Sequence, residues 1–131
     1  MRILGGWFVM LLISLSLFGM TACSDGGANS YEQITPQEAK IIMDTESEYI
    51  IIDARTTEEF AEGHIADAIL IPEYEIADRA EKELPDKEAL ILVYCRSGRR
   101  SKIASEELVK LGYTNVKEFG GIIDWPYEIV K

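Results

Sequence analysis

Three short apolar runs most constrain how this chain can fold: Tyr49-Ile50-Ile51-Ile52, Ala68-Ile69-Leu70-Ile71 and Ala89-Leu90-Ile91-Leu92-Val93-Tyr94. None alternates apolar with polar residues, and each is of strand length rather than helix length. A strand of this kind is buried on both faces, which is the situation inside a parallel sheet covered by helices. The stretches between the runs supply those helices. Thr35-Pro36-Gln37-Glu38 is a helix start, with Thr as cap, Pro in the first turn and Glu three residues on. It continues to Met43, with Ala39, Ile42 and Met43 on one face. Thr57 to Glu62 reads as a short helix stopped at Gly63, and residues 75–84 as a helix that aligns Ile76, Ala80 and Leu84 before Pro85. Residues 101–111 carry an inner stripe of Ala104, Leu108 and Leu111 and end at Gly112. A last strand is expected at 116–119, with Gly120-Gly121 turning the chain into a short terminal helix. The alternation predicts an α/β fold of three layers: a central, mostly parallel sheet of about five strands flanked by helices.

The N-terminus has a different character. Residues 7–20 form an uncharged apolar run behind Arg2, too short to span a bilayer, which takes about 20 such residues. It suits the hydrophobic stretch of a secretory signal. Met20-Thr21-Ala22-Cys23 follows, then the polar linker Ser24-Asp25-Gly26-Gly27-Ala28-Asn29-Ser30. This arrangement resembles a bacterial lipobox, with Met20 where a branched aliphatic is usual. It implies that residues 1–22 are a lipoprotein signal peptide, that Cys23 is lipidated and becomes the first mature residue, and that 23–30 tether a domain at 31–131. Ordinary signal-peptidase cleavage after Ala22 is the competing reading, and the large Met20 fits it less well. The expected location is outside the cytoplasm, on a bacterial membrane. Removing Arg2 makes a chain of net charge −10 more acidic still. Such a surface repels nucleic acid and anionic lipid, so neither is expected as a partner and membrane contact is expected through the anchor alone. The chain has two cysteines. With Cys23 committed to lipid, Cys95 is an unpaired thiol in an exported protein, which calls for a reason.

That reason is sought where ligands bind in a parallel α/β sheet, at the carboxyl ends of the strands. The segment there is Tyr94-Cys95-Arg96-Ser97-Gly98-Arg99-Arg100-Ser101. Cys95 falls where the most apolar strand ends, and Ser101 is expected to cap the following helix through its hydroxyl. A connection so short must curl, and Gly98 gives it freedom to do so. Backbone amides and the helix N-terminus are then expected to converge on the sulfur. Arg96, Arg99 and Arg100 oppose the acidic trend of the chain. Distant charges are screened beyond about 8 Å at physiological ionic strength. One cation about 4 Å away is worth up to about 4 kcal/mol at an effective dielectric of 20. The local field is therefore expected to win and to favour the thiolate at Cys95. A lone cysteine with solvated arginines is the bland alternative, and the glycine, the arginines and the strand-to-helix setting weigh against it.

Cys95-Arg96-Ser97-Gly98-Arg99-Arg100-Ser101 resembles the active-site loop of the rhodanese (sulfurtransferase) family. Ile52-Asp53-Ala54-Arg55, Glu59-Phe60, Gly63-His64-Ile65 and Ala68-Ile69-Leu70-Ile71-Pro72 resemble its upstream signature, and Gly120-Gly121-Ile122 with Trp125 its closing one. The resemblance implies that the Cys95 thiolate takes sulfane sulfur from thiosulfate or a similar small anionic donor and passes it to cyanide or a thiol. It implies that Arg96, Ser97, Gly98, Arg99, Arg100 and Ser101 bind the donor and the persulfide. The family's phosphatase-like branch needs a wider loop, with arginine six positions after the cysteine; here that position is Ser101. Sulfur is expected over phosphate.

No cofactor and no metal are expected, since one histidine cannot make a metal site alone. His64 is expected to be structural, Trp125 to pack, and the acidic run at 81–88 to be solvated. Asp53 and Arg55, at a strand end, are expected to form a buried polar pair that braces the loop. A monomer is expected. Two other classes stay open: a tethered binding module or sulfur carrier with little turnover, and a redox thiol, which no Cys-x-x-Cys supports.

Overall fold

The computed structural model describes residues 30–131. The signal segment 1–22, Cys23 and the linker up to Asn29 lie outside the described residues. Five strands form one sheet: β1 (Glu32–Gln33), β2 (Ile50–Asp53), β3 (Ile69–Leu70), β4 (Ile91–Cys95) and β5 (Val116–Gly121). Their spatial order is β1-β5-β4-β2-β3, and every pairing is parallel. Four helices connect them: α1 (Pro36–Thr45), α2 (Thr57–Glu62), α3 (Ile76–Glu83) and α4 (Arg99–Lys110).

Burial on both faces is what the uninterrupted apolar runs demand. In β4 all five residues are buried. Ile52, Val93 and Cys95 share one core with Ile76 and Ala80 of α3 and Ala104 and Leu108 of α4. Ile51, Leu92 and Tyr94 point the other way, into a core with Ala39 of α1, Ile65, Phe119 and Trp125. Both edge strands are two residues long, which leaves little unpaired backbone for another chain to pair with.

Local chemistry sets the helix ends. Thr35 and Glu38 make the reciprocal capping box read from the sequence. A second box, Thr56 with Glu59, starts α2 and was not anticipated. Three expectations are corrected at the chain's later turns. A single 3-10 turn over Glu73–Glu75 precedes α3, so the helix proper begins at Ile76. Gly120 and Gly121 continue β5 instead of turning out of it, and the terminal helix is one 3-10 turn, Ile122–Asp124. The strand at Glu32–Gln33 was also missed, because two exposed polar residues carry no apolar pattern.

The strand order places the site. The chain leaves β2 toward β3 at one edge and leaves β4 toward β5 on the other side. Connections therefore diverge between β2 and β4, and a parallel sheet opens a crevice beyond its carboxyl ends at such a point. Asp53 and Cys95 are the residues at those two ends.

Candidate active site

Only residues 96–98 separate β4 from α4, which begins at Arg99. The connection closes because Gly98 adopts φ 108°, ψ −13° at the head of the helix, a conformation that side-chain-bearing residues avoid. It turns the Gly98 amide inward to donate to Cys95 Sγ at 3.0 Å. Cys95 itself is buried, at 1% exposure, and unpaired.

Because α4 starts two residues earlier than the sequence suggested, Ser101 is not its cap. It lies in the first turn, fully buried, and its hydroxyl serves the site. Ser101 Oγ accepts from Cys95 Sγ at 3.3 Å and donates to Glu118 Oε1 at 2.7 Å. Glu118 had not been singled out; its pairing with Val93 puts it on the Cys95 side of the sheet, and an irregularity in β5 follows it. Val93 pairs with Glu118, but Cys95 pairs with Gly121, so β5 carries an extra residue across that step. Gly120 takes it up at φ 88°. The Gly120 amide then folds back onto Glu118 Oε1 at 2.7 Å, and the carboxylate stays on the Cys95 side of the sheet, 3% exposed.

The same irregularity presses β5 against the loop. A Cβ on Gly121 would lie 1.9 Å from Arg96 O and 2.4 Å from Ser97 N. Position 121 therefore accepts no side chain while the loop keeps its shape.

The three arginines have separate fates. Arg96 and Arg99 are exposed. Arg100 does not face solvent freely: it makes a two-pronged pair with Glu59, Nη1 to Oε1 at 2.6 Å and Nη2 to Oε2 at 2.9 Å. These bonds hold the Glu59 carboxyl at a pKa of about 2, against a partial burial that would raise it. They also lift the Arg100 guanidinium above its ordinary range.

Asp53 and Arg55 do form a buried pair, with Arg55 Nη2 to Asp53 Oδ2 at 2.7 Å. Its other bonds run to Tyr94 and Gly63, not to residues 96–101. The Tyr94 hydroxyl donates to Asp53 Oδ2 at 2.7 Å and accepts from Ile65 N at 3.0 Å, while Arg55 Nη2 donates to Gly63 O at 2.7 Å. Burial would lower the Arg55 pKa, but the hydrogen bonds and charge of Asp53 outweigh it and raise it. Burial, then the Asp53 charge, pushes the Tyr94 hydroxyl well above its usual range, so it stays a donor. The pair thus fixes the segment that follows α2 and the residue before Cys95. His64 stacks on Phe60, ring centroids 3.7 Å apart, and bonds Phe60 O through Nδ1 at 2.9 Å. Trp125 packs on Phe119. Both are packing positions.

Two outcomes follow from this geometry. Glu59 is held below its ordinary pKa, so its pair with Arg100 stabilises the fold above about pH 4.5 and loses that contribution as pH falls toward 2. Glu59→Gln is expected to cost about 1 kcal/mol at pH 7, after solvent screening, and to flatten the acid limb of a urea-stability profile over that interval. Gly121→Ala is expected to cost about 3 kcal/mol, the upper end for overpacking, because the clash is with backbone. The same variant should speed alkylation of the buried Cys95 thiol by iodoacetamide as the loop is displaced.

The family model of the rhodanese-like domain matches residues 35–126. The thiosulfate sulfurtransferase PspE of Escherichia coli K12 is 41% identical over 80 residues, 61% of this chain and 77% of its own. A sulfurtransferase of Allochromatium vinosum is 41% identical over 85 residues, 64% of this chain and 77% of its own. Among solved structures, a rhodanese with anions from E. coli superposes with a TM-score of 0.60 at 38% identity, over 63% of this chain and 98% of its own. A buried thiol at a strand end, a three-residue loop closed by glycine, the family model and the sulfurtransferase relatives agree: the chain belongs to the rhodanese-like domain family.

Proposed function

We propose that the protein is a sulfurtransferase that carries sulfane sulfur on Cys95, from thiosulfate or a similar small anionic donor to a thiol or cyanide. The observation that carries this reading is the setting of the sulfur. Cys95 Sγ ends the most buried strand and receives the Gly98 amide at 3.0 Å. In the first step the Cys95 thiolate attacks the outer sulfur of the donor. Its electron pair forms the new S–S bond, and the donor's own S–S bond breaks with its pair leaving on sulfite. In the second step the acceptor takes the outer sulfur and the thiolate is restored. Splitting the transfer into two displacements lowers each barrier. An amide aimed at the sulfur stabilises charge there without having to reorganise. The exposed Arg96 and Arg99 are the loop cations free to meet the anionic donor, since Arg100 is engaged by Glu59.

Sulfur is favoured over phosphate by the size of the loop. The helix starts at Arg99, and the sixth position after Cys95 is the buried Ser101, bound to Glu118. A tetrahedral phosphate needs a wider ring of amides and an arginine at its rim. Thiosulfate treatment of the purified protein is expected to add the mass of one sulfur atom, and Cys95→Ser is expected to abolish both that addition and turnover to cyanide. A phosphotyrosine analogue should be left intact in the same assay. Phosphatase turnover without sulfur loading would overturn the assignment, and loading without transfer to any acceptor would reduce the protein to a sulfur carrier or binding module.

The reading extends to the N-terminus: residues 1–22 are removed, Cys23 is lipidated, and the domain works outside the cytoplasm on a bacterial membrane. The short apolar run ending in Met20-Thr21-Ala22-Cys23 supports this. Cys23→Ser should lose its lipid and leave the membrane fraction. Retention there, with residues 1–22 removed, would rule the anchor out.

A further inference from the structure

Sulfur transfer by Cys95 and its loop leaves one buried charged group without a task. Glu118 is 3% exposed, yet none of the ion pairs among the described residues includes it. A carboxylate buried without a cation is costly, so its persistence asks for a use. Its Oε1 is held by two donors, the Ser101 hydroxyl and the Gly120 amide, both at 2.7 Å. Ser101 Oγ also lies 3.0 Å from Gly98 O and 3.4 Å from Gly120 O. A hydroxyl has one proton to give, and the short bond to a carboxylate is the strongest of the three. With that proton committed, the oxygen's lone pairs remain to accept the Cys95 S–H at 3.3 Å. An unbroken chain of donors thus runs from Cys95 through Ser101 to Glu118. Beyond it, Glu118 lines a cleft of about 300 Å³ with Ser97, Gly98, Lys102, Gly120 and Asp124.

The geometry points to Glu118 as the acceptor, through Ser101, of the proton that Cys95 sheds when it is loaded with sulfur. This rests on the sulfur-transfer reading and assigns that reaction its proton path. As the thiol gives its proton to Ser101 Oγ, Ser101 passes its own to Glu118 Oε1. The freed electron pair on Cys95 Sγ forms the bond to the donor's sulfur, and sulfite leaves with the pair of the broken S–S bond. The site ends with an anionic persulfide and a neutral Glu118, so its total charge is unchanged apart from what enters and leaves with the donor. When an acceptor removes the sulfur, the proton returns by the same route or leaves through the cleft. Glu118 acts through Ser101 and never touches the reacting sulfur. The charged and titratable groups around it are Cys95 on β4, Lys102 on α4, Asp124 after β5, and Tyr31 ahead of β1. The Tyr31 hydroxyl is raised by burial, then by the charges of Glu106 and Glu118.

Single-turnover loading of the full-length protein with thiosulfate, read by intact mass, tests this. Glu118→Gln still accepts from Ser101 and Gly120 but cannot take a proton. It is expected to slow loading about a hundredfold, leave the half-saturating thiosulfate concentration unchanged, and remove one ionisation from the rate–pH profile. Glu118→Asp should recover part of the rate. Ser101→Ala should slow loading similarly, and adding Glu118→Gln to it should cost little more, because the two act as one unit. Parent-like loading and pH profile in a folded Glu118→Gln protein, or in Ser101→Ala should the first fail to fold, would overturn the relay and leave sulfur transfer intact. A parent protein that never gains sulfur would instead overturn the sulfur-transfer reading itself.

Discussion

The step from β4 to α4 takes three residues, and nearly everything at the site follows from that shortness. A longer connection could let the cysteine wander to the surface or let the helix dock elsewhere. With residues 96–98 alone, the sulfur at the strand end and the first turn of the helix must occupy the same small volume. Ser101 is thereby brought within hydrogen-bond reach of Cys95, and the Gly98 amide has nowhere to point but at the sulfur. The constraint propagates outward. So tight a loop leaves room for β5 only if Gly121 has no side chain, and β5 meets it only by taking in an extra residue at Gly120. That extra residue turns the Gly120 amide back onto Glu118, which its pairing with Val93 already places on the sulfur's side of the sheet.

Electrostatics at the site are local and paired, although the chain as a whole is strongly acidic. Arg55 is matched by Asp53 and Arg100 by Glu59, each pair partly or wholly withdrawn from water. Withdrawn pairs of this kind fix positions more than they add stability. The Arg100–Glu59 pair ties the first turn of α4 to α2, and the Asp53–Arg55 pair ties the end of β2 to Tyr94 and Gly63. Arg96 and Arg99 stay exposed in the loop, outside any ion pair among the described residues. The division is therefore spatial: paired arginines hold the walls, and Arg96 and Arg99 remain exposed.

The architecture was largely legible because it is written in side-chain periodicity. Unbroken apolar runs at 49–52 and 89–94 pointed to doubly buried strands, and the Thr35 capping box marked the start of α1. The loop was legible through composition, as glycine and arginines around a lone cysteine. The missed features belong to the long-range geometry. Lys117-Glu118 looks like an ordinary solvated pair in a strand, and only the register of β5 against β4 shows that Glu118 is buried. Ser101 looked like a cap because Ser is a good one, and it was displaced from that role because Gly98 starts the helix earlier. The Thr56–Glu59 box was the one overlooked local signal, a Thr followed three residues later by Glu.

Burial of the thiol also bears on how a sulfur carrier of this shape would work. At 1% exposure Cys95 Sγ offers little surface to a bulky reagent. In the proposed reaction, a sulfane sulfur attached to it would lie about 2 Å beyond Sγ along the S–S bond, within a loop whose Ser97 and Arg99 are exposed. Under the proposed sulfur transfer, the unloaded thiol would be shielded from bulky oxidants and the added sulfur would be the atom an acceptor meets. The loop cannot widen while Gly121 lies against Arg96, so a donor would have to reach the buried thiol with its terminal sulfur while its bulk stays outside. The close packing that shortens the loop also sets the size of what it can accept.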